Sequence, residues 1–134
     1  MSKKYREDGI LPQTPAADYS AKKGYLVNLA GGTATISSSA TTPAKGVIIE
    51  GNDTAAGYAN EKVVIALLGN VCGSVPMRTS GVITAGDAVQ QAADGSIVTD
   101  AGNGNNRVIV GIAAESGVSG ENIEVFPIGP IART

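Results

Sequence analysis

The sequence predicts an all-β fold: a small barrel or sandwich of short strands carrying an extended N-terminal arm. Three observations lead there. Eighteen glycines and six prolines interrupt nearly every window long enough for three helical turns, so a helical period has no room to develop. The apolar clusters that remain are short, rich in Val and Ile, and bounded by turn-forming residues, as strands are. Aromatic residues make up only 4% of the chain and tryptophan is absent, so the core must be built from Val, Ile, Leu and Ala packed between thin layers. With 134 residues the chain fits one domain, large enough for folding to remove roughly two thirds of the unfolded surface from water. With no helix to make crossovers, a parallel sheet is excluded in favour of a barrel or sandwich.

The elements follow in chain order. Residues 1–23 read as an arm. Pro12 and Pro15 forbid a regular helix, the charges alternate in sign, and too few large apolar groups are present for a separate core. Strands are expected at 24–30 (GYLVNLA), 33–38 (TATISS), 45–50 (KGVIIE), 61–68 (EKVVIALL), 71–76, 87–91 (DAVQQ), 95–99 (GSIVT), 107–114 (RVIVGIAA) and 121–128 (ENIEVFPI). Gly31-Gly32 and Asp94-Gly95 are hairpin links, and DAGNGNN at 100–106 is a polar loop. The body then spans 24–129, and residues 130–134 form a short tail behind Pro127 and Pro130. One phrase occurs twice. Residues 46–69 and 111–129 each run from a glycine through an apolar strand to Glu50 or Glu115, then a glycine-containing loop, then from Glu61 or Glu121 through a second strand to Gly69 or Gly129. Each copy reads as a β-hairpin. The pair is expected on facing sides of one barrel, with the glutamates at its rim.

Composition narrows the chemistry. The chain has no histidine, so the usual Ser-His-Asp and Cys-His arrangements cannot be built and the usual zinc sites are excluded. Glu50 and Glu115 form the one arithmetically available carboxylate pair, but no aromatic platform for a sugar accompanies them. Asp87, Asp94 and Asp100 do not have the spacing of a calcium loop, and Asp94-Gly95 is explained by its turn. GGTAT lacks the lysine of a phosphate-binding loop, and Pro43 makes the Thr42/Lys45 pair part of a loop rather than a Ser-Lys-type dyad. Cys72, the single cysteine, excludes an intrachain disulfide and is expected to be a small buried hydrophobe. No cofactor is expected. The N-terminus has no apolar stretch of a secretory signal, and no run approaches the ~20 residues of a membrane span, so a soluble, cytoplasmically made product is expected.

Formal charge is −2, distributed unevenly. Residues 1–23 hold five bases (Lys3, Lys4, Arg6, Lys22, Lys23) against three acids, while the remainder holds five bases against nine acids. An excess this small does not support nucleic-acid binding, which uses on the order of 6–10 phosphate contacts. A basic arm on an acidic body fits an arm laid on a protein neighbour.

At AGDAV (85–89), DGSIV (94–98), VGIAAE (110–115) and ENIEVFPI, preceded by KGVII at 45–49, the chain resembles the small capsid decoration, or cement, proteins of tailed bacteriophages. The resemblance spans about Gly24 to Gly129. Size, absent helices and Ala/Thr/Gly content give a looser similarity to the lambda-type head decoration proteins. The resemblance implies a compact β domain (β-tulip-like) on the outside of an icosahedral shell, as homotrimers at three-fold or quasi-three-fold positions, with the arm engaging the major capsid protein. Lys3, Lys4, Tyr5, Arg6, Leu11, Tyr19, Lys22 and Lys23 are the arm residues expected to make that contact. The implied location is the virion exterior and the implied role is non-enzymatic. Two other classes stay open: a virion-displayed carbohydrate- or host-surface-binding module using the GNDTAAGYANE and AGNGNN loops, and a carboxylate hydrolase using Glu50 and Glu115.

Overall fold

The computed structural model describes residues 9–52 and 61–134. The fold is all-β: ten strands in two sheets, with no helix among the described residues. The strands are β1 (Ile10–Pro15), β2 (Leu26–Ala30), β3 (Thr33–Ile36), β4 (Gly46–Glu50), β5 (Val63–Leu67), β6 (Val75–Arg78), β7 (Ala88–Gln91), β8 (Ile97–Thr99), β9 (Arg107–Ala113) and β10 (Asn122–Arg133). Strands β1-β3-β2-β4-β5 close into a barrel, and β6-β10-β9-β7-β8 form a second, five-stranded sheet. That sheet nearly closes on itself, because Thr79, one residue past β6, bridges Ile97 at the start of β8.

The apolar runs explain the two-layer arrangement. Val27, Ile48, Val63 and Ile65 point into the barrel with Tyr19 and Ala34. Their neighbours Leu26, Val47 and Ala66 point the other way, into a second core shared with Val75, Met77, Ile83, Val89, Ile97, Val110, Ile123 and Val125. Strands β2, β4 and β5 are thus buried on both faces, which is why YLV, GVII and VVIALL read as continuous apolar runs rather than alternations. By contrast, β10 begins with strict alternation, Ile123 and Val125 inward and Glu124 and Phe126 outward.

Two expected boundaries are corrected. Within the leader, Ile10–Pro15 is a barrel strand, antiparallel to β5 (Leu11 opposite Ile65) and parallel to β3 (Thr14 opposite Thr33). Its prolines are compatible with this because of where their missing donors fall. The Thr14 amide donates to the Gly32 carbonyl just ahead of β3, the Ala16 amide to Ala34 within it, and the Gly9 carbonyl accepts from Leu67 of β5, so even positions face β3 and odd ones face β5. Pro12 faces the β3 side before pairing with β3 begins at Thr14, and Pro15 faces the β5 side after pairing with β5 has ended at Gln13. At the other end, residues 130–133 are no tail. They continue β10, with Ile131 opposite Ile109 and Arg133 opposite Arg107, beyond a bulge between Pro127 and Ile131.

The two phrases are hairpins, but in different sheets. Strands β4 and β5 pair in the barrel, and β9 and β10 pair in the second sheet. Their terminal glycines meet: a Cβ on Gly69, itself at φ +92°, would lie 3.0 Å from the Gly129 Cα. The Gly31-Gly32 turn has φ of 60° and 83°, the doubly left-handed geometry of a type I′ hairpin. The strand expected at 71–76 begins instead at Val75, leaving Cys72 exposed, contrary to the expected burial.

Backbone bonds through Lys23–Leu26 fasten the sheets together. Gly24 donates to the Ile48 carbonyl (2.7 Å) and accepts from the Arg78 amide (2.9 Å), while Leu26 donates to Gly95 (2.8 Å) at the β7–β8 turn. Asn122 Nδ2 donates to the Lys23 carbonyl at 3.1 Å.

Candidate interaction surface

The outer face of β9 and β10 carries the most conspicuous surface feature. Phe126, the only phenylalanine in the chain, is 54% exposed, and its cross-strand partner Ile112 is 47% exposed. Ile131, 42% exposed, pairs with the half-buried Ile109 further along β9. Paired residues project from the same side of a sheet. Ile109 and Ile112, three apart, share the outer side because β9 has an irregularity opposite Val89 and Gln90 that leaves Val108, Val110 and Ala113 inward, so the four side chains form one apolar stripe. Isolated exposed apolar residues are ordinary, whereas several together on one sheet face make a candidate interaction surface. Charges flank it, Glu124 at one end of β10 and Arg133 at the other. A second, smaller patch lies where the loops after β6 and β9 meet. Ile83 and Gly117 exchange backbone bonds of 2.9 and 3.0 Å, which sets the exposed Val82 opposite the exposed Val118.

Beside the stripe, a cavity of about 330 Å³ is lined by Lys23, Ile49, Pro76, Glu115, Asn122 and Glu124. Glu115 Oε1 accepts the Glu124 amide at 2.9 Å, so this glutamate has a structural partner. Glu50 is exposed at the end of β4 and does not line this cavity.

The expected capsid-contact residues are dispersed. Lys3, Lys4, Tyr5 and Arg6 lie outside the described residues, as does most of the GNDTAAGYANE loop. Leu11 is half-buried in β1. Tyr19 is only 7% exposed: its amide donates to Asn52 Oδ1 (2.7 Å) and its hydroxyl oxygen accepts the Ile36 amide (3.1 Å), so it is a barrel core residue rather than a contact. Lys22 stacks over the Tyr25 ring at 4.9 Å, and Lys23 is exposed at the cavity. Sequence reasoning missed the apolar stripe. Its signal was present in ENIEVFPI, where alternation places Phe126 on the outward face with Asn122 and Glu124 rather than inward with Ile123 and Val125.

The remaining polar candidates have local roles. Asp87 Oδ2 accepts the Thr84 amide (3.1 Å), Asp94 accepts the Ser96 amide and hydroxyl, and Asp100 pairs with Arg107 at the base of the 100–106 loop. Thr42 contributes its carbonyl to a buried glutamine, and Lys45 is exposed. Among the described residues no three His, Cys, Asp or Glu side chains are grouped to hold a metal ion.

Arg107, 6% exposed, holds the Asp100 carboxyl below the usual carboxylate range, chiefly through their hydrogen bond. The Ser96 hydroxyl lowers Asp94 in the same direction. A carboxyl depressed in the folded state contributes stability that is fully present above the unfolded value of about 4 and is lost as pH falls through the folded one. Stability measured by urea unfolding is therefore expected to fall on acidification below pH about 4, and Asp100→Asn to flatten that acid limb while lowering the neutral plateau. An unchanged acid limb in the variant would remove Asp100 from this role.

No protein-family model matches this chain, and no curated protein matches it in sequence.

Proposed function

We propose that this protein is a non-enzymatic structural component of a virion, binding the outer surface of an icosahedral phage head and stabilising its lattice. The observation that carries the reading is the apolar stripe of Phe126, Ile112, Ile131 and Ile109, a contact face on a two-sheet body. The ordered motifs from KGVII to ENIEVFPI supply the shell as the partner through their resemblance to cement proteins. The stripe docks on the major capsid protein, and the cationic side chains of Lys3, Lys4 and Arg6 add polar contacts to the shell. Three copies clustered at a three-fold position multiply a modest contact into a firm one, since each further engagement is intramolecular.

Purified protein added to undecorated heads is expected to coat them and raise their disruption temperature. Heads left bare and no more stable would overturn the proposal. Binding to a glycan array together with bare heads would favour the surface-binding module instead.

A further inference from the structure

We propose that Asn103 is a site of spontaneous deamidation, converting through a cyclic imide to aspartate and isoaspartate. Asn103 and Gly104 are both exposed at the tip of the 100–106 loop, between β8 and β9. Gly104, at φ +88°, has no Cβ to shield its amide nitrogen or restrict the approach of that nitrogen to the preceding side chain. Among the described residues, no hydrogen bond holds the Asn103 side chain or the Gly104 N–H.

The other asparagines differ on one count or both. Asn52 is buried, with Oδ1 accepting from Tyr19 and Nδ2 donating to Asp18. Asn105 Nδ2 donates to the Ala101 and Gly102 carbonyls, and Asn122 Nδ2 to Lys23. Asn70 is followed by the β-branched Val71. Asn103 alone is followed by glycine.

The reaction needs only water and base. The Gly104 nitrogen loses its proton and attacks the Asn103 Cγ. A nitrogen–carbon bond forms, the Cγ–Nδ2 bond breaks, and the amide leaves as ammonia after taking up a proton. Water then opens the five-membered imide at either carbonyl. Opening at Cγ restores the main chain with aspartate, and opening at the α-carbonyl routes the chain through Cγ as isoaspartate. Nothing is oxidised or reduced.

Each conversion adds one negative charge to a chain of formal charge −2. The extra main-chain atom of isoaspartate stays within the loop tip, because the loop is fastened at its base by the Arg107–Asp100 pair and by the Ala101 amide on Gln90 Oε1 (2.8 Å).

The folded full-length chain, held at mildly alkaline and mildly acidic pH, is followed by peptide mapping and isoaspartyl methyltransferase labelling. Acidic product and label are expected on the peptide containing Asn103, faster at alkaline pH, and lost in Asn103→Gln, whose longer side chain closes the imide ring poorly. The melting temperature should not move in either protein, which separates the chemistry from unfolding. Label on another asparagine, the same acidic species in Asn103→Gln, or no product while a free Gly-Asn-Gly peptide converts would each overturn the proposal.

Discussion

Deleting residues 1–23 is expected to abolish cooperative folding, with a deletion of residues 1–8, which leaves β1 intact, as the control. The longer deletion removes β1, which closes the barrel between β3 and β5, and so opens two strand edges at once. It also removes Tyr19, which packs with Val27, Ala34, Ile48, Val63 and Ile65 and takes the Ile36 amide on its hydroxyl. Losing one large buried aromatic costs about 3–5 kcal/mol. A domain of this size has only about 5–15 kcal/mol in total, so losing a strand as well leaves no stable fold. Circular dichroism melts of the two truncations decide the matter. A cooperative transition near the full-length temperature in the longer deletion would show that β1 is dispensable.

Gln91→Leu is expected to destabilise the protein by about 1–3 kcal/mol, the cost of leaving the buried Ala44 amide unpaired, since the Ser39 and Thr42 carbonyls are only partly buried and can turn to water. Gln91 is fully buried, and its amide is used at both ends. Its Nε2 donates to the Ser39 and Thr42 carbonyls (2.6 and 2.7 Å), and its Oε1 accepts the Ala44 amide (3.0 Å). One side chain on the second sheet therefore pins the barrel's 37–44 loop, and leucine of similar volume would leave the buried Ala44 amide without its partner. Gln91→Glu keeps the acceptor for Ala44 but turns a carboxylate oxygen toward two carbonyls, so it is expected to be no better. Urea unfolding gives the comparison. A loss below about 1 kcal/mol would mean that the Ala44 amide finds another partner or water.

Much of the fold was legible in the sequence because local chemistry dictated it. Valine-rich runs bounded by glycine became strands, and Gly31-Gly32 and Asp94-Gly95 became the turns they suggest. The leader was not legible. Prolines and few apolar residues describe a free arm and an edge-compatible strand equally well, and only the pairing ranges of β1 show where the missing donors fall. The assignment of the repeated hairpins to one barrel failed for a related reason. The continuous apolar runs of β4 and β5 reflect burial on two faces, and this second core is what separates the sheets. The candidate surface was half legible: alternation in β10 turns Phe126 outward, but only the register with β9 brings Ile112 and Ile109 beside it and adds Ile131 across the bulge.

If the outer face of β9 and β10 makes the contact with the shell, Phe126→Asp replaces the largest apolar group of that contact with a charge. Phe126 contributes little to the body's interior, so the variant should melt within a few degrees of the parent, consistent with a surface change of about 0.5 kcal/mol. Occupancy on undecorated heads, measured by sedimentation, is expected to fall to background. A folded Phe126→Asp protein that coats the heads as fully as the parent would show that the shell is held by some other face.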